Sequence, residues 1–341
     1  MTQLAKALKT ILYYALTRVS KPRYSQKNSI GGGLLVSESS RWLAALWRPF
    51  SQTRRAETFT AYALILPALI GFSLFYALPT IRALELSFTD WNMMRPPKFI
   101  GFDNYVKLWH DGRFWNGMKL SLYYVLLNIP LQTAIGLFLA VAMDRLTRSI
   151  FVRSVVLLPY LLSNVLVALI WLWMLDPLLG VVNHLITSLG LDRQAFLGSP
   201  NQALATVAGI NIWRHMGLVA MLFLAGLQNI PRNLYEAAMV EGATEWQMFR
   251  HITLPLLRPV MVFVLVTSVT GSFQIFDTIA VTTAGGPQDS TNVIVYYIIT
   301  NAFSFNKMGY ASAMSMVLAA VMVLYTLIQM RVMRASDSDL A

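Results

Sequence analysis

The sequence predicts an all-α integral membrane fold, six transmembrane helices with a polar helical hairpin between the fourth and the fifth. Three observations predict it. Of 341 residues, 56% are hydrophobic and 13% charged, against about 25% charged in soluble domains, so much of the surface must face lipid. Apolar runs at about 60–83, 119–143, 152–175, 203–227, 257–281 and 309–331 each reach the roughly 20 residues that a helix needs to cross a bilayer. Loops holding Arg145, Arg148, Arg153, Arg232, Arg250, Arg258, Arg331 and Arg334 alternate with loops poor in them, and basic loops mark the cytoplasmic side. Both termini and the hairpin therefore fall in the cytoplasm. That placement explains the net charge of +11 without a nucleic-acid partner. The absence of cysteine excludes a disulfide framework, a thiolate metal site and a thiol nucleophile.

Residues 1–59 form a basic cytoplasmic extension, ten Lys or Arg against Glu38 and Glu57. Its apolar piece Ile11-Leu12-Tyr13-Tyr14-Ala15-Leu16 is too short to span, and no small-residue cleavage site follows it, so it is not read as a signal peptide. Trp42, Leu46 and Phe50 recur at four-residue spacing, with Leu43 and Trp47 on the same side. That pattern suits a helix lying on the inner leaflet or a disordered basic tail, with Gly31-Gly32-Gly33 as a flexible link.

After the first span, the outer loop Leu84 to Met118 contains Ile100-Gly101-Phe102-Asp103-Asn104-Tyr105 and three tryptophans, Trp91, Trp109 and Trp115, read as interfacial anchors. In the second and third spans, Asn128 with Pro130 and Asn164 after Pro159 mark helix kinks, where freed backbone groups need partners. Later outer loops read as short, with tight turns at Asp176-Pro177-Leu178-Leu179-Gly180 and Gly285-Gly286-Pro287. Residues 332–341 are a cytoplasmic tail.

The hairpin, about 229–258, is too polar to cross a bilayer and too regular for a slack linker. Pro231 and Asn233 open a short helix that must stop near Gly242, because glycine reverses a chain after a helix end at little cost. Thr244 followed three residues later by Gln247 reads as a capping box. Trp246, Phe249 and Ile252 then give an apolar stripe before Pro255 and Pro259. Ala237 and Ala238 carry almost no side chain, so another surface can approach this helix closely beside the charge of Glu236.

The spacing Glu236-Ala237-Ala238, Gly242, Ile252-Thr253-Leu254-Pro255 resembles the cytoplasmic coupling loop of permease subunits in bacterial ATP-binding-cassette (ABC) importers. Leu227-Gln228-Asn229-Ile230-Pro231 before it and Gly285-Gly286-Pro287 after it are similar to the carbohydrate branch, the maltose and glycerol-3-phosphate permease type. The resemblance runs from about residue 60 to residue 330 and implies a MetI-like, type I importer permease domain over 60–331, in a bacterial inner membrane. It implies that Glu236, Ala237, Ala238, Gly242, Ile252, Leu254 and Pro255 dock in a cleft of an ATP-hydrolysing subunit. It also implies partners: a second permease subunit, with this chain resembling the first, longer member of a heterodimer; two subunits that bind Mg-ATP; and an extracytoplasmic solute-binding protein meeting Gly285, Gly286 and Pro287.

Polar groups inside spans are costly unless they face a cavity or a partner. Asn211, Arg214, His215 and Leu218 share one stripe of the fourth span, and Ser268, Gly271, Ser272 and Ile275 repeat that spacing in the fifth. Two such stripes facing each other would form a narrow wet passage. The resemblance implies that these eight positions match those lining the sugar in the maltose-type permease; Arg214, His215, Gly271 and Ile275 depart from that relative, which implies a different substrate. Arg214 could pair with a substrate oxyanion or satisfy carbonyls or Asp277. Asp277 reads as a packing or gate residue.

No constellation for covalent chemistry appears. There is no phosphate-cradling glycine loop followed by Lys-Ser/Thr, and His110, His184, His215 and His251 never fall at metal-ligand spacing. The chain therefore reads as a transport subunit rather than an enzyme, without cofactor or metal, importing a sugar or oligosaccharide by alternating access. The alternatives are a permease for an anionic solute such as glycerol-3-phosphate or a uronate, one for amino acids, peptides or osmolytes, and an ion-coupled secondary transporter. The last usually carries intramembrane carboxylates or inverted repeats, and here Asp277 is its single candidate carboxylate.

Overall fold

The computed structural model describes residues 49–147 and 149–333. Most of the extension, with the candidate interfacial helix around Trp42 and Trp47, lies outside the described residues, as does the tail from 334. The chain divides into two units at Phe72 and Ser73. The first contributes α1 (Pro49–Phe72), whose side chains Phe59, Leu64 and Phe72 are exposed, as an apolar helix surrounded by lipid requires. The apolar helical run Thr58–Ser87 is long enough to cross a membrane.

The second unit opens with a π-turn (Ser73–Ala77) and α2 (Leu78–Ser87). A two-residue ribbon follows, β1 (Thr89–Asp90) antiparallel to β2 (Lys98–Phe99), with Thr89 opposite Phe99. Helix α3 (Asp103–Trp109) is pinned to it, because Asn104 donates its amide hydrogens to the Ser87 and Thr89 carbonyls, each at 2.9 Å. Trp109 and Trp115 are exposed and meet edge to face, ring centres 5.6 Å apart.

Asp111 caps α4 (Gly112–Leu146), accepting from the Arg113 and Phe114 amides, and its second oxygen accepts from the hydroxyls of Tyr297 (2.8 Å) and Tyr310 (2.6 Å). Burial pushes this carboxyl upward, but the two hydroxyls and two amides outweigh it and hold the pKa below its ordinary 3.8. A depressed folded-state pKa gives stability that is complete above the ordinary carboxylate range and lost as pH falls through the depressed value. Asp111→Ala is expected to cost about 2 kcal/mol at neutral pH. The difference in melting temperature from wild type, measured in detergent, should close as pH drops below about 4; a gap unchanged at about pH 3 would assign the loss to packing.

Among the described residues, five helices are long and apolar enough to span, and six if a bent pair counts as one. That pair carries the kink expected between Pro159 and Asn164, sharpened to a full break: α5 (Ile150–Leu161) and α6 (Asn164–Met174) meet at 93°. Pro159 removes a backbone donor from the last turn of α5, Leu162 and Ser163 are extended, and the Ser163 hydroxyl restarts the helix by accepting from the Leu166 amide. The kink expected at Pro130 does not break its helix, for α4 runs continuously through it. The outer segments are also less simple than short loops. Asp176 and Gly180 do form a tight turn, but α7 (Val181–Ser188) and a 3-10 turn (Phe196–Gly198) follow before α8 (Ala203–Gln228).

Helix α8 makes its most extensive packing with α4 and also contacts α5. Beyond it come the hairpin helices α9 (Arg232–Val240) and α10 (Glu245–Met248), a π-turn (Phe249–Thr253) and α11 (Leu254–Leu256). The fifth span is α12 (Arg258–Phe273), interrupted at Gln274–Phe276 and resumed as α13 (Asp277–Thr282). Ile275 therefore sits in a break, not on a helical stripe. Helix α14 (Ile294–Ile299) prolonged by a π-turn to Ser304 packs into a buried cluster with Phe114, Tyr310 and Met314, and α15 (Met308–Met333) completes the unit.

Candidate functional site

A cavity of about 320 Å³ lies where the two breaks meet. Seven of the eight residues expected along the passage line it: Asn211, His215, Leu218, Ser268, Gly271, Ser272 and Ile275. Arg214 does not. Its Nη2 donates to the carbonyls of Tyr160 (3.3 Å) and Leu162 (3.0 Å), and the guanidinium lies 5.3 Å from the Tyr160 ring centre. The carbonyls at the end of α5 have no helical partner beyond the 93° break, and a cation there satisfies them. Arg214 is the cap of the broken span.

His215 is positioned by the same arrangement. One ring nitrogen, Nδ1, lies 3.0 Å from the Asn211 carbonyl, which can only accept, so Nδ1 carries the proton. Nε2 lies 3.0 Å from Arg214 Nη1, which can only donate. This pairing requires the neutral imidazole.

At the junction itself, Asn164 opens α6 and Asp277 opens α13, and the Asn164 amide donates to the Asp277 carboxylate at 2.7 Å. Asn211 reaches the same point, its amide 3.4 Å from the Thr278 hydroxyl. Between α4 and α12 Asn128 donates to Ser272 (2.9 Å), within α4 it donates to Gln132 (3.2 Å), and Gln132 donates to Ser268 (3.3 Å). Gln132 and Thr278 were not singled out in the sequence. Gln132 carried a usable signal, an amide one helical turn from Asn128 inside an apolar run; Thr278 carried none, since threonine satisfies itself in a helix.

The hairpin forms a second site at one end of the unit. Gly242 has φ +77°, and the Gly242 and Ala243 amides donate to the carbonyls of Met239 (3.1 Å) and Ala238 (2.9 Å), the left-handed reversal that closes α9. Thr244 and Gln247 make the capping box of α10. Tyr235 and Thr253 join the arms through their hydroxyls at 2.8 Å, and Glu245 pairs with Arg145 at the end of α4 at 2.7 Å. Ile252 and Tyr235 pack into a cluster with Met143, Phe223, Leu224 and Val264, so the base of the hairpin shares a core with α4, α8 and α12. Ala238 is half-buried, while Glu236, Ala237, Gly242, Leu254 and Pro255 are exposed. The expected stripe is partly reversed: Met248 is buried and Trp246 is 66% exposed, stacked on Phe249.

At the other end, Gly285 is buried with φ +84°, and Gly286 and Pro287 are half-buried. Thr291 ties this loop down by donating to the Gly286 carbonyl at 2.7 Å. Gln288 and Asp289 form its exposed tip.

Interrupted helices around a polar cavity, sharing a core with an exposed lever, define a membrane subunit that moves solutes. Residues 132–340 match the family described as binding-protein-dependent transport system inner membrane component. The chain is 34% identical to the probable ABC transporter permease protein YurN of Bacillus subtilis over 82% of its own length and 97% of that protein. It is 35% identical to the sulfoquinovosyl glycerol transport system permease protein SmoG of Agrobacterium fabrum, over 81% and 91%. A solved bacterial ABC transporter for import of the acidic polysaccharide alginate contains a chain of the same fold: TM-score 0.73, 28% identity, covering 84% of this chain and 98% of that one. This chain belongs to the binding-protein-dependent inner membrane component family; it is a MetI-like permease subunit of an ABC importer, a multi-pass protein of the inner membrane.

Proposed function

We propose that the chain forms one membrane half of an importer that moves a sugar or oligosaccharide by alternating access. The observation that carries this reading is the cavity, whose polar lining is mostly amides and hydroxyls, Asn128, Gln132, Asn164, Asn211, Ser268 and Ser272, groups that match hydroxyl cargo one for one. Relatives point the same way. The permeases named for lactose in Rhizobium radiobacter and for sn-glycerol-3-phosphate in Shigella flexneri are each 31% identical.

In this reading the hairpin end is cytoplasmic, as are both termini, the 1–59 extension and the tail. Two subunits carrying Mg-ATP close beneath the hairpin, and a second permease subunit supplies the facing half of the passage. Val240, 90% exposed, and Met239, 55% exposed, give the hairpin tip an apolar surface for an ATPase cleft to cover. A loaded binding protein meets the outer loops near Gln288 and Asp289. Binding of ATP or of the loaded binding protein can only shift the balance between states, so it is ATP hydrolysis on the partner subunits that turns the motion into a cycle.

Reconstituting the complex in proteoliposomes tests this. Uptake of labelled oligosaccharide is expected only with ATP inside and the binding protein outside. Uptake that persists without the ATPase subunits would overturn it in favour of an ion-coupled carrier.

A further inference from the structure

The cavity's polar groups are not evenly spent. Its lining includes one carboxylate, Asp277, and among the described lining residues no guanidinium or ammonium. Arg214, the nearest cation in sequence to the lining, lies outside it and directs Nη1 to His215 and Nη2 to the Tyr160 and Leu162 carbonyls, which leaves its Nε buried without a partner. His215 is in turn neutral in that pairing, for the reason given above. The carboxylate accepts one side-chain hydrogen bond, from Asn164 at 2.7 Å, although such a group has room for about four.

A second acceptor lines the same cavity. Asn128 is only 2% exposed; both of its side-chain hydrogen bonds use the amide nitrogen, and its Oδ1 is buried without a partner. An unpartnered buried carbonyl oxygen is costly and calls for a donor. At Asp277 and Asn128 the unspent capacity therefore accepts hydrogen bonds. A sugar hydroxyl supplies the needed donor. A carboxylate, phosphate or sulfonate brings only acceptor oxygens and a negative charge towards Asp277, in surroundings that screen it less than water does.

We infer that Asp277 and Asn128 make this half of the passage selective for uncharged, hydroxyl-bearing sugars over acidic ones. The inference rests on the carbohydrate reading above and narrows it: Asp277 determines specificity, and Asn128 Oδ1, closed off in this state, receives a cargo hydroxyl when the passage opens.

The test uses the purified importer complex in lipid nanodiscs without its binding protein, so that the binding protein cannot filter the cargo. Maltotriose and trigalacturonate, matched in length and differing in charge, are titrated while the thermal shift of the complex is followed. Wild type is expected to favour maltotriose by at least about tenfold. Asp277→Asn should narrow that ratio by about tenfold, mainly by admitting trigalacturonate, and Asn128→Asp should widen it. Equal binding of both sugars by wild type, or a ratio that Asp277→Asn leaves unchanged, overturns the inference. If Asp277→Asn does not fold, Asn128→Asp carries the same test, and a ratio that fails to widen overturns it. Binding of neither sugar by any variant overturns the carbohydrate reading itself, and this inference with it.

Discussion

Gly217→Ala is expected to destabilise the membrane bundle around the cavity severely. A Cβ at Gly217 would lie 2.0 Å from the Val156 carbonyl oxygen, 2.9 Å from its carbon and 3.2 Å from the Leu157 Cα. All three are backbone atoms of α5, so no side chain can rotate away and the helix itself must retreat from α8 by more than an ångström. Small residues allow this kind of close approach between helices in a bilayer, where no hydrophobic driving force holds them together. Overpacking of an interior costs about 1–3 kcal/mol and occasionally more, and a clash with main chain belongs at the top of that range. The damage would not stay local, because α5 ends at the break that Arg214 caps, and moving it pulls the Tyr160 and Leu162 carbonyls off the guanidinium. Gly209, on the same helix, has nothing within 4 Å of its would-be Cβ and provides the matched control. Melting of the two variants in detergent should separate them clearly, with Gly209→Ala near wild type. A Gly217→Ala protein melting within about 2 °C of wild type would show that α5 and α8 are free to move apart.

The parts of this fold that were legible in the sequence are those in which one residue type has one physical use. Gly242 in a left-handed turn, Thr244 with Gln247 in a capping box and an apolar run of spanning length each have a single economical reading, and the structure contains all three. The breaks were harder to read. Pro130 and Pro159 look alike in sequence, yet α4 passes through the first, while a 93° turn follows the second. What separates them is a competing restart, the Ser163 hydroxyl, together with a distant arginine able to cap the freed carbonyls. The interruption after Phe273 has no proline at all, so Ile275 was assigned to a stripe that the backbone does not continue. Arg214 shows the same limit from the other side. Spacing puts it on the cavity stripe, but a guanidinium is long enough to leave its own stripe, and the open carbonyls of α5 lie within its reach.

The last expected result concerns the hairpin. Gly242→Val should leave the permease folded and inserted while lowering sugar uptake at least about tenfold, a change equivalent to about 1.4 kcal/mol. The reasoning differs from that for Gly217, since nothing lies within 4 Å of a Cβ at Gly242. The cost lies wholly in the backbone. At φ +77° an L-residue loses roughly 1–2 kcal/mol, and a β-branched one is the worst case. Because Gly242 is exposed and its strain can be relieved by unwinding the Met239 and Ala238 turn, the hairpin would reshape without disturbing the core beneath it. That core is how the hairpin would deliver force: Tyr235 and Ile252 pack with Phe223 and Val264, and Glu245 grips Arg145 at the end of α4. A reversal held at the wrong angle would seat the tip wrongly on its ATPase and break the link between closure below and rearrangement above. Gly242→Asn makes the argument specific, because asparagine enters the left-handed region at little cost and should keep most of the uptake. Binding-protein docking, measured on the same vesicles, should be unaltered in both variants. Full uptake by the valine variant would mean that the turn carries no force, and loss of docking would place the defect in the outer loops.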